Sequence, residues 1–188
     1  MSLDGFVTAR AVTAEQPMGR EGARLHTWAR DTPSPRNAEL LEASVAEAGA
    51  FICGRRTYDL SLPWWGADGP TGPARVPLVV VTHDEPDDAP DDGVYTFVDG
   101  VADAVARAQQ VAGARPIAVM SADIGRQCLL AGLVDEVSVH LVPVLLGDGT
   151  RLFEAVGGTA IELGVPGVVE TAEVTHLRYP VRSSTASA

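Results

Sequence analysis

Two short runs carry the side chains of clearest chemical use. Ser2-Leu3-Asp4-Gly5 reads as a turn presenting one carboxylate, and Gly54-Arg55-Arg56-Thr57 follows a short apolar strand and offers guanidinium, hydroxyl and main-chain donors. A guanidinium fork, and a backbone with no Cβ in the way, suit a phosphate. The end of a strand is also where open α/β sheets bind ligands. A lone carboxyl beside a heteroaromatic ring could supply the proton that must follow hydride delivery to a C=N or C=C–N bond. Burial against such a ring would raise the pKa of Asp4. Plainer readings stand beside these. Asp-Gly is a common turn pair, and two arginines after a strand are as readily a solvated pair.

Other side chains add less. His26, Trp28, Trp64 and Trp65 could line a flat aromatic substrate pocket, or pack as core. No two of the four histidines stand at metal-ligand spacing, so no metal is expected. Cys53 and Cys128 are far apart and read as reduced, buried thiols. The net charge is −11, with 25 acidic residues against 14 basic ones, all arginine. That balance argues against nucleic acid and anionic membranes as partners, since both reward basic patches. With no signal-like start and no long apolar run, the cytoplasm is the expected compartment.

The elements that must position these groups alternate. Helices are expected from residue 35 to 48 and from 101 to 112, the latter with Val101, Val105, Ala108 and Val111 on its buried face, and a short one over 124–131. Strands are expected at 50–53, 76–82, 94–98, 116–120, 137–146, 159–164 and 168–181. Residues 10–36 show no periodicity and read as a lid, and 61–75 read as a Pro/Gly-rich loop carrying Trp64 and Trp65. The implied fold is α/β: one domain over residues 1–182, with a mixed, mostly parallel central sheet flanked by helices and antiparallel C-terminal strands. Residues 183–188 read as a disordered tail.

The order of several motifs then resembles a known family. Ser2-Leu3-Asp4-Gly5, the strand into Gly54-Arg55-Arg56-Thr57, Val79-Val80-Val81-Thr82-His83, and Ala131-Gly132-Leu133-Val134-Asp135-Glu136 through Pro143-Val144-Leu145-Leu146-Gly147-Asp148-Gly149 are similar to the dihydrofolate reductase-like superfamily. The branch they resemble includes the reductase domain of bifunctional riboflavin-biosynthesis deaminase-reductases. Leu25-His26-Thr27-Trp28 and Trp65-Gly66 resemble small stand-alone, actinobacterial-looking members.

The resemblance implies NADPH-dependent hydride transfer to a small pterin-, pyrimidine- or flavin-like substrate, by a homodimer. It places Gly54, Arg55, Arg56, Thr57, Thr82 and His83 around the nucleotide, with Ser121, Ala122, Asp123 and Ile124 at the family's glycine pair against the pyrophosphate. Asp4 becomes the residue that orients substrate or relays a proton. Two departures stand out: acidic residues follow His83, and Ser121-Ala122 replace the glycines. They leave open a redox-neutral enzyme without nicotinamide (a cyclase or isomerase), or a non-catalytic small-molecule-binding protein. The family's first strand, which precedes the Ser-x-Asp-Gly turn, is expected to be missing or truncated here.

Overall fold

The computed structural model describes residues 1–30, 33–154, 156, 158 and 160–182, so the expected tail at 183–188 lies outside the described residues. In chain order the elements are β1 (Phe6–Ala9), α1 (Thr27–Arg30), α2 (Pro35–Glu47), β2 (Ala50–Gly54), α3 (Arg55–Trp65), β3 (Leu78–Val81), β4 (Tyr95–Val98), α4 (Val101–Ala112), β5 (Ile117–Val119), α5 (Ala122–Leu130), β6 (Glu136–Leu141), β7 (Gly149–Arg151), β8 (Gly167–Glu170) and β9 (Thr175–Pro180). Two compact units result: residues 39–125, and residues 1–38 together with 126–188. Each is described by itself.

In the 39–125 unit the near-continuous apolar runs become strands buried on both faces, as parallel pairing under crossover helices requires. Ile52, Cys53, Leu78, Val79 and Val80 are almost fully buried. The four strands run parallel in the order β4-β3-β2-β5. On α4 the buried residues are Ala104, Ala108 and Ala112; of the face expected, Ala108 is buried and Val101 and Val105 are half-buried, while Val111 is exposed. A stripe of small residues at four-residue spacing lets a helix approach closely.

The expected loop at 61–75 is also corrected. α3 continues to Trp65 through Pro63, and Gly66–Ala74 is 3-10 helix. Tyr58, Leu62 and Trp65, at helical spacing, pack on the Cys53, Leu78 and Val80 cluster, and that burial outweighs the hydrogen bond lost at Pro63. The Gly66 amide closes the helix on the Leu62 carbonyl.

The other unit is antiparallel. β6-β9-β8 form one sheet and β1-β7 a ribbon. The expected strand 168–181 is a hairpin instead, because the Thr171 hydroxyl donates to the Val174 carbonyl and accepts from the Val174 amide, turning the chain. Of segment 159–164, the described residues supply one bridge, Leu163 to Val181. β6 stops at Leu141, short of the expected residue 146, before Pro143, which cannot donate to a ladder. Beside its end the Met1 nitrogen donates to the His140 carbonyl at 2.7 Å, the Val142 amide to Met1, and Ser2 bridges Val142 in parallel.

At the β1–β7 pairing Gly149 has φ +146°, and a Cβ there would lie 1.9 Å from the Thr8 carbonyl oxygen. Gly149→Ala should therefore lower stability by about 2–4 kcal/mol. Gly125→Ala, inside α5 with open space around it, should instead raise it by up to about 1 kcal/mol. Denaturant midpoints of the two variants check the contrast.

Candidate functional site

The order β4-β3-β2-β5 sends the chain one way from β2 to β3 and β4, then back past β2 to β5. The reversal lies between the C-terminal ends of β2 and β5, where Gly54 and Met120-Ser121 sit side by side: the Met120 amide donates to the Ile52 carbonyl at 2.8 Å. Such switch points are the usual ligand crevices of open α/β sheets. Helices begin directly after both strand ends, α3 at Arg55 and α5 at Ala122. Gly54, the N-cap of α3, provides no side-chain cap, and the Ser121 carbonyl accepts the Gly125 amide as the first bond of α5. Free first-turn amides and the positive helix end favour an anion at each start.

Gly54 itself has ordinary extended backbone. A Cβ on it would lie 3.3 Å from Ile124 Cγ1 and 3.4 Å from Ser121 Oγ. Its missing side chain lets Ile124 and Ser121 of the α5 start pack directly against the end of β2. Buried Ile124 is a packing residue, and Asp123 stands exposed in the first turn of α5.

The charged groups here are partly engaged. The Arg55 guanidinium donates to Asp59 Oδ1 at 2.6 Å, to the Asp84 carbonyl at 3.1 Å and to Thr82 Oγ1 at 3.5 Å. The Thr82 hydroxyl donates to the same Asp84 carbonyl. His83, exposed, pairs with Asp99 at 2.8 Å. Arg56 is exposed and has no side-chain partner among the described residues; Thr57 lies half-buried in the first turn of α3. Trp64 is 56% exposed at the end of α3, and Trp65 packs beside Tyr58.

In the other unit, Asp4 occupies a turn closed by the Gly5 amide on the Ser2 carbonyl, with Gly5 at φ +91°. Arg151 lies over the Phe6 ring at 4.4 Å and donates to the Asp4 carbonyl. The Asp4 carboxylate accepts the Gly147 amide at 2.7 Å and the Leu146 amide at 3.2 Å. Its pKa is held down to about 2 by the Ser2 hydroxyl and then by these amides. The hydroxyl's own hydrogen bonds go to Phe6, so the amides are the contacts seen directly. The direction is opposite to the rise expected from the sequence, because amide donors rather than an apolar ring face the carboxylate.

With this geometry in view, a comparison of the whole sequence with protein families decides the kinship: the RibD C-terminal domain matches residues 1–177. The chain belongs to the RibD C-terminal domain family. This is a family of reductases with a dihydrofolate reductase-like fold. Among solved structures, it is similar to a protein from Shewanella sp. PV-4 assigned to riboflavin biosynthesis, at 21% identity and TM-score 0.70, over 97% of this chain and 95% of that one. It also resembles the riboflavin biosynthesis reductase Rib7 of Saccharomyces cerevisiae (13%, TM-score 0.60, over 97% and 86%). A third is a diaminohydroxyphosphoribosylaminopyrimidine deaminase/5-amino-6-(5-phosphoribosylamino)uracil reductase of Thermotoga maritima (11%, TM-score 0.61), matched over 96% of this chain and 54% of that one. No curated protein matches the sequence.

The aromatic residues expected in a pocket of this RibD C-terminal domain have other company. Trp28 is 6% exposed, donates to the Leu25 carbonyl, and packs its ring against His140 (4.9 Å) and His176 (5.1 Å). His140 Nδ1 and His176 Nδ1 lie 2.8 Å apart. Asn37 Nδ2 donates to Glu173 Oε2, so its Oδ1 is the acceptor toward His176 Nε2 at 3.0 Å. His176 Nε2 therefore carries a proton, its Nδ1 is bare, and His140 Nδ1 donates to it. Sequence reasoning missed this chain, because His140 and His176 face one another only through the β6–β9 register. Among the described residues no cluster of His, Cys, Asp and Glu could hold a metal, and no helix is long and apolar enough to cross a membrane.

Burial holds both His26 and His140 near pKa 4, His26 further pressed by Arg30 and His140 by His176; His176 is lowered as well. These histidines fold neutral and charge only in acid. Their stabilising burial is thus fully present above the unfolded pKa of about 6.5 and is lost as pH falls toward 4. Thermal midpoints should drop by roughly 5–10 °C over that window. His140→Asn should start less stable at neutral pH and show a shallower acid decline. An equal decline in both proteins would refute the assignment.

Proposed function

We propose that this RibD C-terminal domain transfers hydride from NADPH to a small heterocycle of pyrimidine type. The observation that carries the reading is the switch point: two adjacent helix starts, that of α3 without a side-chain cap, flanked by Arg55, Arg56 and Thr82, at the C-terminal edge of a parallel sheet. The residues fit the cofactor's phosphates. Arg56 is available for a 2′-phosphate, Arg55 is already oriented by Asp59 and Thr82, and the first-turn amides of α3 and α5 suit a pyrophosphate. Ser121 and Ala122 are small enough to let the main chain of α5 approach. When bound, NADPH supplies the hydride. Asp4, kept ionised, serves as an acceptor that orients a substrate N–H, and the proton that follows hydride comes from water. The relatives named above as riboflavin-biosynthesis reductases support the substrate class by kinship.

A second reading is favoured by two observations. Arg55 is engaged by Asp59 and by the Asp84 carbonyl, and Asp123 puts a further negative charge in the first turn of α5. A redox-neutral enzyme lacking the dinucleotide would tolerate both. Tryptophan-fluorescence titration separates the readings, with Trp64 and Trp65 closing α3 as reporters. NADPH should quench saturably and more tightly than NADH, and Arg56→Gln should weaken NADPH about tenfold while leaving NADH unchanged. No saturable quenching by either nucleotide rejects the reductase reading, and substrate turnover without nicotinamide establishes the alternative.

The same proposal includes a homodimer. Leu3 at 62%, Leu145 at 69% and Phe153 at 45% exposure leave apolar surface in the unit containing Asp4, and the Leu3 amide donates to the Val144 carbonyl beside Leu145. Light scattering should give twice the subunit mass at micromolar concentration, and Leu145→Asp should shift it toward one subunit.

A further inference from the structure

The parallel sheet of the 39–125 unit has a second end, and an open groove of about 500 Å3 lies there. Its walls stand where strands begin rather than where they end: Val76 shortly before β3, Arg115 shortly before β5, and Ala46 at the close of α2 ahead of β2. The nucleotide crevice proposed above lies at the opposite edge. Leu41, Val45 and Val76 give the groove an apolar lining, and Glu42, Thr71 and Arg115 bring polar groups to it. Those groups are held in place without being used up. The Arg115 guanidinium donates to the Ala46 carbonyl at 2.7 Å and to the Glu47 carbonyl at 3.4 Å, and no carboxylate pairs with it among the described residues. The other N–H groups of the fork are open to a ligand. Glu42 is exposed and has no side-chain partner among the described residues. It precedes Ala46 by one helical turn, so acid and base enter the groove at separate points and are not paired with each other. The Thr71 hydroxyl accepts the Val76 amide at 3.0 Å, which leaves its proton for a ligand acceptor.

Backbone fixes this arrangement. A Cβ on Gly49 would fall 2.7 Å from Arg115 Cβ and 2.8 Å from Ala112 Cβ, so only glycine there lets Arg115 lie against the end of α2. Val76 and Arg115 each precede a proline, which disfavours helical backbone at both. The carbonyls of Pro77 and Pro116 accept the Phe51 and Gly49 amides, each at 2.8 Å, and tie two walls of the groove to the start of β2. Arg75, between the lining residues Ala74 and Val76, is one of three described non-glycine residues with positive φ (45°). Strained backbone of this kind persists where the surroundings impose it, often at binding sites.

We propose that this groove binds a free amino acid with an apolar side chain. Arg115 receives the carboxylate, Glu42 the ammonium, and the side chain lies along Leu41, Val45 and Val76. The volume is that of a small-molecule pocket. A simple acid would meet Glu42 as a like charge, and a simple amine would meet Arg115 as one. A zwitterion satisfies both. It also carries no net charge for a chain at −11 to repel at long range. The site shares no residue with the nucleotide crevice or with the apolar surface assigned to the homodimer, and it stands independently of both readings.

Isothermal titration calorimetry of the full chain with L-phenylalanine, 3-phenylpropionate, phenethylamine and glycine tests it. L-Phenylalanine should bind saturably and about fivefold or more tightly than either singly charged analogue. Glycine, with no apolar body, should give no saturable heat. Glu42→Gln, at an exposed position of α2, should weaken L-phenylalanine about fivefold and leave 3-phenylpropionate no weaker than before. Arg115→Gln, with unchanged circular dichroism, should weaken L-phenylalanine about tenfold, and Arg115→Lys, which keeps the charge, should fall between that variant and the unaltered chain. NADPH should leave the L-phenylalanine isotherm unchanged. Absence of saturable binding, a singly charged analogue binding as tightly as L-phenylalanine, indifference of L-phenylalanine to Glu42→Gln, or its displacement by NADPH would each overturn the site.

Discussion

The parallel sheet can end in a ligand crevice only if the helix after β5 comes close to the strand that crosses back, and Gly54 is where this is decided. Any larger residue would place its Cβ 3.3 Å from Ile124 and 3.4 Å from Ser121. The Ile124 and Ser121 side chains would have to give by a few tenths of an ångström to admit it. With glycine there, two helix starts stand next to one another, and that of α3 has no side-chain cap. The positive ends of two helices are thereby concentrated at one sheet edge, which no single side chain could achieve. Gly54 thus has a plain packing purpose where α5 approaches β2.

Charge is the second constraint. A chain at −11 repels anions at long range, so any phosphate-binding region needs a local reversal. Arginines gather in two places. Around the sheet edge Arg55 is fixed by Asp59 and Thr82, at the expense of some of its charge, while Arg56 keeps its own. Around the β1 end, the Arg20 amide donates to the Arg10 carbonyl and brings two arginines together beside Glu21 and Asp148. The acidic stretch after His83 is partly spent on main-chain contacts: it is the carbonyl of Asp84, not its carboxylate, that meets Arg55 and Thr82.

Much of the fold was legible because burial on two faces writes an apolar run. Val76–Thr82 and Ala50–Cys53 announced the central strands, and the family order of motifs pointed to the right lineage. Failures came where long-range burial overrides local preference. Pro63 and the glycines after it suggested a loop, yet the packing of Tyr58, Leu62 and Trp65 carries α3 through. The β-prone 168–181 run concealed a turn made by one threonine hydroxyl. For the site, the arginines after β2 could be named from sequence, whereas the histidine pair could not. Residues 140 and 176 become neighbours only by register, and a one-residue slip would put them on opposite faces.

Asp4 shows most clearly how position overrules residue type. A carboxyl at this turn suggests a proton donor, and a donor needs a pKa near the working pH. Two amides from the Leu146–Gly147 turn hold it ionised instead, and protonating it would break charge-assisted hydrogen bonds at a sequence separation of more than 140 residues. The same bonds tie the Ser2–Gly5 turn to the segment that ends in β7, while Arg151 from β7 grips the turn from its other side. A group so fixed cannot swing toward a substrate to deliver a proton, but it offers its remaining lone pairs in one direction. In the proposed reduction, which ends with charge on nitrogen, such a carboxylate would set the orientation of the ring and leave the proton to solvent.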